Sequence, residues 1–166
     1  MGFADAVKTC LTKKYVTFSG RARRPEYWWF ALFVFLGVVL FGLLDAVIFG
    51  SSFGPGDHQA TRVFAPLFQL ATLLPFLAVG WRRMHDTGKP GWLLLLPLIV
   101  TFALSLIVAF GMLGMMSDGA APVPGFGLGG FAVIWVIQIA LFVLVVWWLT
   151  RPTQPGPNDY GPQPSR

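Results

Sequence analysis

Charge is what this sequence has least of. Only 11% of its 166 residues are Asp, Glu, Lys or Arg, against 55% hydrophobic residues and a mean hydropathy of +0.68. A soluble domain of this length needs a polar exterior, and too few charged residues are present to supply one. Lipid is therefore the expected solvent, with one compact membrane domain. Cysteine is nearly missing too: Cys10 stands alone, which excludes an intrachain disulfide framework and fits an interfacial side chain in a reducing cytoplasmic setting. The first 26 residues lack the apolar core and small-residue cleavage site of a signal peptide, so the first apolar span is expected to direct insertion. No nucleophile motif is present, and His85, Asp86 and the distant His58 lack further ligands at a recognised spacing. Glu26 and Asp45 stand about 28 Å apart along a helix, too far to act as an acid/base pair. No catalytic residue, metal or cofactor is therefore expected. Nucleic acid is excluded as a partner, because the net charge of +5 sits mostly beside apolar spans, where a membrane accounts for it.

What is present is apolar sequence in four long stretches: Tyr27 to Gly50, Phe64 to Trp81, Gly91 to Gly111 and Phe131 to Thr150. Each approaches the roughly 20 residues a helix needs to cross the hydrocarbon core. None alternates in polarity as barrel strands do, and helices satisfy their own backbone in lipid. The expected fold is an all-α membrane protein with four transmembrane helices. Lys8, Lys13, Lys14, Arg21, Arg23, Arg24, Arg82, Arg83, Lys89, Arg151 and Arg166 fall on one side of these spans and Arg62 alone on the other. The positive-inside rule then places both termini in the cytoplasm. Trp28, Trp29, Trp81, Trp92, Trp147 and Trp148 all fall at the same side's helix ends, as interfacial anchors.

Ahead of the first span, Phe3, Val7, Cys10 and Leu11 recur at helical spacing, predicting a short amphipathic helix on the membrane surface. The expected divisions are a cytoplasmic segment at 1–26 with that helix and a basic anchor, a transmembrane domain at 27–150, and a disordered cytoplasmic tail at 151–166. Asp86-Thr87-Gly88 reads as a tight turn that makes spans two and three an antiparallel hairpin. The outer loops, Ser51 to Val63 and Met112 to Gly130, read as irregular. Pro75 and Pro97 lie within spans, where either kinks a helix. Asp45, near the outer end of span one, is expected to pair with Arg62 or meet water, and Gln138 to make an interhelical hydrogen bond. Gly37 and Gly42 offer small-residue surfaces on which a homo-oligomer can form.

Two clusters carry chemistry. Arg21, Arg23 and Arg24 precede the first span, where arginines bind anionic headgroups at about 1 kcal/mol each. Glu26, beside them, has no part in such an anchor and points to an ion pair that fixes helix packing or holds a polar ligand. Arg82, Arg83, His85 and Asp86 end the second span, as a charged hairpin whose Asp86 buttresses the turn or as a phosphate or carboxylate site.

The segments Tyr15 to Phe30 (YVTFSGRARRPEYWWF), Ala78 to Trp92 (AVGWRRMHDTGKPGW) and Asn158 to Pro162 (NDYGP) resemble the bacterial inner-membrane proteins grouped as domain-of-unknown-function family 805. The resemblance implies a small multi-span plasma-membrane protein and supplies no catalytic residue or cofactor. Topology places all three segments on the cytoplasmic side, so Arg21, Arg23, Arg24, Glu26, Arg82, Arg83, His85 and Asp86 are expected to meet there in one binding site. Glu26 would pair with an arginine, leaving others for membrane lipids with anionic headgroups or a protein partner. The leading expectation is a non-enzymatic protein acting through such contacts in envelope maintenance or stress. A carrier or channel for a small solute or lipid is the second, and an enzyme on a lipid phosphate with His85 as acid or base the third.

Overall fold

The computed structural model describes residues 1–50, 62–118 and 128–164. It is helical, with no strand among the described residues beyond one isolated bridge between Asn158 and Gly161. The helices are α1 (Phe3–Lys8), α2 (Arg24–Phe49), α3 (Phe64–Asp86), α4 (Leu96–Asp118) and α5 (Leu128–Thr150). Among the described residues four stretches are long and apolar enough to cross a membrane: Arg24–Phe49, Phe64–Asp86, Gly91–Phe110 and Ala132–Thr150. The first expected outer loop, with His58, lies largely outside the described residues, whereas in the second, expected to be irregular, residues 112–118 and 128–130 are helical parts of α4 and α5 and only 119–127 lie outside. The chain divides into two units, one holding Met1–Gly91 with Pro152–Arg166, the other Trp92–Arg151.

In the first unit α2 and α3 pack along their length. Pro25 stands in the first turn of α2, where its missing N–H costs nothing and its fixed φ is already helical. At mid-span the ring of Phe68 fills a notch in α2. A Cβ at Gly37 would lie 2.2 Å from that ring, so only glycine permits the approach. Phe33 and Phe41, one turn to either side of Gly37, complete the notch with ring centroids 5.8 and 5.0 Å from Phe68. Gly37 is thus occupied within the chain, whereas Gly42 faces open space.

Pro75 leaves the carbonyl of Ala71 without its helical donor, and the Tyr15 hydroxyl donates to that oxygen at 2.5 Å. A backbone defect that lipid would penalise is therefore repaired from outside the helix. At the far end of α2 the buried Asp45 accepts from the backbone N–H groups of Val63, Phe64 and Ala65 at 3.2, 2.9 and 2.8 Å. It caps the first turn of α3, whose own N-cap is a valine with no side-chain acceptor. Of the two fates expected for Asp45, water is excluded by its burial and Arg62 acts on it only through its charge: its direct partners are the N–H groups at the positive end of a neighbouring helix.

α1 has six residues and continues into a wide helical turn at Thr9–Lys13 that ends at Lys14. So short a helix has little stability alone and depends on packing. Ala6 and Cys10 are buried, and Phe3 meets the rings of Trp29 and Phe33 at 6.0 and 6.4 Å.

In the second unit, residues 91–95 form a 3₁₀ turn ahead of α4. The Gln138 amide of α5 donates to the Pro97 carbonyl at 3.3 Å and to the Thr101 hydroxyl, the interhelical bond expected of it.

Candidate functional site: a buried ionic assembly and the pocket beside it

The last turn of α3 is made of residues that rarely leave water. Arg82, Arg83, His85 and Asp86 are all buried, the arginines and aspartate to 1% exposure or less. Isolated charges at such depth cost many kcal/mol, so each must be answered by partners. The answer comes first from the chain leading into α2. Ala22 N–H donates to the Arg82 carbonyl at 3.0 Å, and His85 Nδ1 donates to the Gly20 carbonyl at 3.1 Å. Laid against α3 in this way, the segment delivers Arg21 Nε to Asp86 Oδ1 at 3.0 Å, while Arg83 Nη1 binds Asp86 Oδ2. One helical turn into the span, Glu26 Oε1 meets Arg82 Nη1 at 2.5 Å. Both clusters therefore form one assembly: Glu26 pairs with an arginine as expected, and Asp86 bridges two guanidinium groups.

The tail after Pro152 supplies the remaining acceptors. Arg21 Nη2 donates to the Gln154 carbonyl at 2.6 Å and Nη1 to the Gly156 carbonyl at 2.7 Å. Arg23 donates to the Pro164 carbonyl through Nε at 3.1 Å and Nη2 at 2.5 Å. Tyr160 stacks on the His85 ring, 3.9 Å between centroids and 6° from parallel, and Asn158 Nδ2 donates to the His85 carbonyl at 2.9 Å. Gln154 N–H caps the Asp86 carbonyl at 3.0 Å. The expectation of a disordered tail is thus corrected through residue 164. A chain rich in proline has carbonyls with few backbone donors of its own, and arginines with donors to place take them.

Glycine shapes the junction. Gly88 closes the turn after α3 at φ +72°, and a Cβ there would lie 2.6 Å from the Gln154 side chain. Gly91 lies so close against Trp81 that a Cβ would sit 2.1 Å from its ring.

The expected anchors separate. Arg24 is exposed, as are Trp28, Trp29, Trp92 and Trp147, and Arg151 lies 4.7 Å above the Trp147 ring. Trp148 is half-buried. Trp81 packs edge-on against Phe18 at 5.7 Å and so belongs to the interior contacts of the first unit.

Cys10 lies near the Glu26 and Arg82 pair. Burial, followed by the charge of Glu26, pushes its thiol up to about 11, against the opposing influence of Arg82 and Lys14. It is neutral at physiological pH and a poor nucleophile.

Beside the assembly opens a cavity of about 470 Å³, bounded by Thr9, Lys14, Arg21, Arg23, Glu26 and Tyr160 among others. Sequence reasoning singled out Arg21, Arg23 and Glu26 but neither Lys14 nor Tyr160. Tyr160 lies in a motif that was visible, Asn158 to Pro162, and its Asn and Gly were the signal for the turn now seen, closed by Asn158 and Gly161 bonds of 3.1 and 2.9 Å.

The family described as "Protein of unknown function (DUF805)" matches residues 15–162, from the tyrosine that repairs α3 to the tail motif beyond Tyr160. The protein named Inner membrane protein YhaH of Escherichia coli strain K12 is 39% identical over 98 residues, covering 59% of this chain and 77% of that protein. Inner membrane protein YhaI of the same strain is 38% identical over 84 residues, covering 50% and 64% respectively. No solved structure matches the chain.

Proposed function

This chain belongs to the DUF805 family and is an integral membrane protein with transmembrane helices, and from that premise we propose that it works at the cytoplasmic face of the bacterial inner membrane through contacts with anionic lipid headgroups or a protein partner. The observation that carries this reading is the convergence of both basic motifs and the tail on one end of the α2 and α3 pair. Arginine recurs there, and exposed Trp28 and Trp29 stand within the first turns of α2, as at a water interface. Eleven of the twelve Lys and Arg residues of the sequence lie on the side of the spans that carries this end, which supports a cytoplasmic orientation. The short α1 would lie within the same interfacial layer. The role favoured is non-enzymatic, in envelope maintenance or stress, because the two carboxylates of the assembly, Glu26 and Asp86, are both held in ion pairs.

Orientation and lipid preference test this reading together. Asp159 is exposed on the tail, so Asp159→Cys supplies a labelling site that the buried Cys10 does not. A membrane-impermeant maleimide should label it only after the inner membrane is opened, and vesicles of phosphatidylglycerol should raise the melting temperature above that in phosphatidylcholine. Labelling in intact spheroplasts, or equal stability in the two lipids, overturns the reading.

A further inference from the structure

Among the described residues the ionic assembly holds more arginines than carboxylates. Arg21, Arg82 and Arg83 contribute three positive charges and Glu26 and Asp86 two negative ones, all five residues being 5% exposed or less. Two donors of Arg82, Nε and Nη2, are buried without an acceptor. The adjoining cavity adds two more cations: Arg23, whose bonds go to the neutral Pro164 carbonyl, and Lys14, which makes no ion pair among the described residues. Its volume of about 470 Å³ lies within the range of small-molecule sites, roughly 300 to 1,000 Å³. Thr9 and Tyr160 bring hydroxyl-bearing side chains to its wall.

We propose that this cavity binds a phosphate-bearing anion, with Lys14 and Arg23 as its charged ligands and the guanidinium of Arg21 on its wall. Phosphate fits better than carboxylate because its several acceptor oxygens answer donors converging from two sides, one set on the N-terminal segment and one on the approach to α2. The same chemistry is offered by an anionic phospholipid headgroup and by a soluble phosphate. The site deepens the reading of a headgroup-binding face and rests on it only for the source of the ligand.

The experiment is a titration of the purified full-length protein in nonionic detergent, followed by its tryptophan fluorescence and melting temperature. The probes are inorganic phosphate and short-chain phosphatidylglycerol, with short-chain phosphatidylcholine as control. Saturable binding of phosphatidylglycerol or phosphate is expected, weakened roughly tenfold in Arg23→Gln and in Lys14→Gln. Lys14→Gln breaks no ion pair or side-chain hydrogen bond seen among the described residues, so its effect stands even if Arg23→Gln loosens the tail. Tighter binding of phosphatidylglycerol than of phosphate identifies the lipid as source, and the reverse identifies a soluble anion. No saturation by either probe, or affinity unchanged in both variants, overturns the proposal. If saturation is absent while anionic vesicles still stabilise the protein, the pocket falls and the headgroup-binding face survives. If saturation persists while Asp159→Cys is labelled from outside, the pocket survives and the cytoplasmic orientation falls.

Discussion

The two units of this chain solve the same problem by different means. Within a bilayer, helices gain little from the hydrophobic effect against one another, so association needs close packing or polar contacts. The unit built on α2 and α3 has both: a ring seated in a glycine notch, a carboxylate capping a neighbouring helix, and three buried ion pairs at one end. The described polar contacts joining α4 to α5 come from one glutamine, whose own carbonyl oxygen is buried without a donor. Directional contacts specify one arrangement of helices, whereas apolar faces alone tolerate several. The first unit is therefore the better scaffold for a site, and the site is found there.

The largest test of this contrast is Asp86→Ala. It strips the shared acceptor from Arg21 and Arg83 and leaves buried cations unanswered, a loss on the order of 3–5 kcal/mol. Thermal denaturation in detergent should show a steep fall in stability, with Asp86→Asn intermediate; a melt close to that of the unaltered protein would mean that the ion pairs do not set the first unit apart. A smaller fall is expected for Asp45→Ala, which removes the cap from α3 while leaving the charged end intact. Here the informative reading is hydrogen exchange at Val63, Phe64 and Ala65, which should quicken without faster exchange at Arg82 or Arg83. The smallest effect belongs to Gln138→Leu, about 0.6 kcal/mol by the average for hydrogen bonds between membrane helices. Should Gln138→Leu destabilise as much as Asp86→Ala, the contrast between the units collapses.

Much of this was legible in advance, and the gaps have physical causes. The four spans follow from apolar length alone, because lipid dictates both the length and the helical state. Hydropathy reads the lipid boundary rather than the helix end. The second apolar stretch stops at Trp81, yet α3 continues through Asp86, since its charged last turn is neutralised by partners from elsewhere. That Glu26 would take an arginine was visible because an anion among cations at a membrane interface needs a reason. That Asp86 would bridge two arginines was not, since an aspartate before a glycine also suits an ordinary turn. Asp45 was read only in part, since Arg62 acts on its charge but its direct partners are backbone groups of another helix, which leave no side-chain signature. The tail was misjudged because proline and glycine content reports the absence of regular structure, and absence of regular structure is not absence of order. Tyr160 and Asn158 hold their places through contacts with His85, which composition does not register.

The stitching of the tail to Arg21 has a consequence for biosynthesis. Arg21 leaves the ribosome 133 to 140 residues ahead of the carbonyls that satisfy it. The tail follows α5, so both helices of the second unit are made before the first unit can close. Until then Arg21 has donors without acceptors at the edge of the membrane, and the nascent protein carries an unfinished seam. The first unit thus closes only once Gln154, Gly156 and Gly161 have been made, and a product terminated ahead of them would be chemically distinguishable by that seam alone.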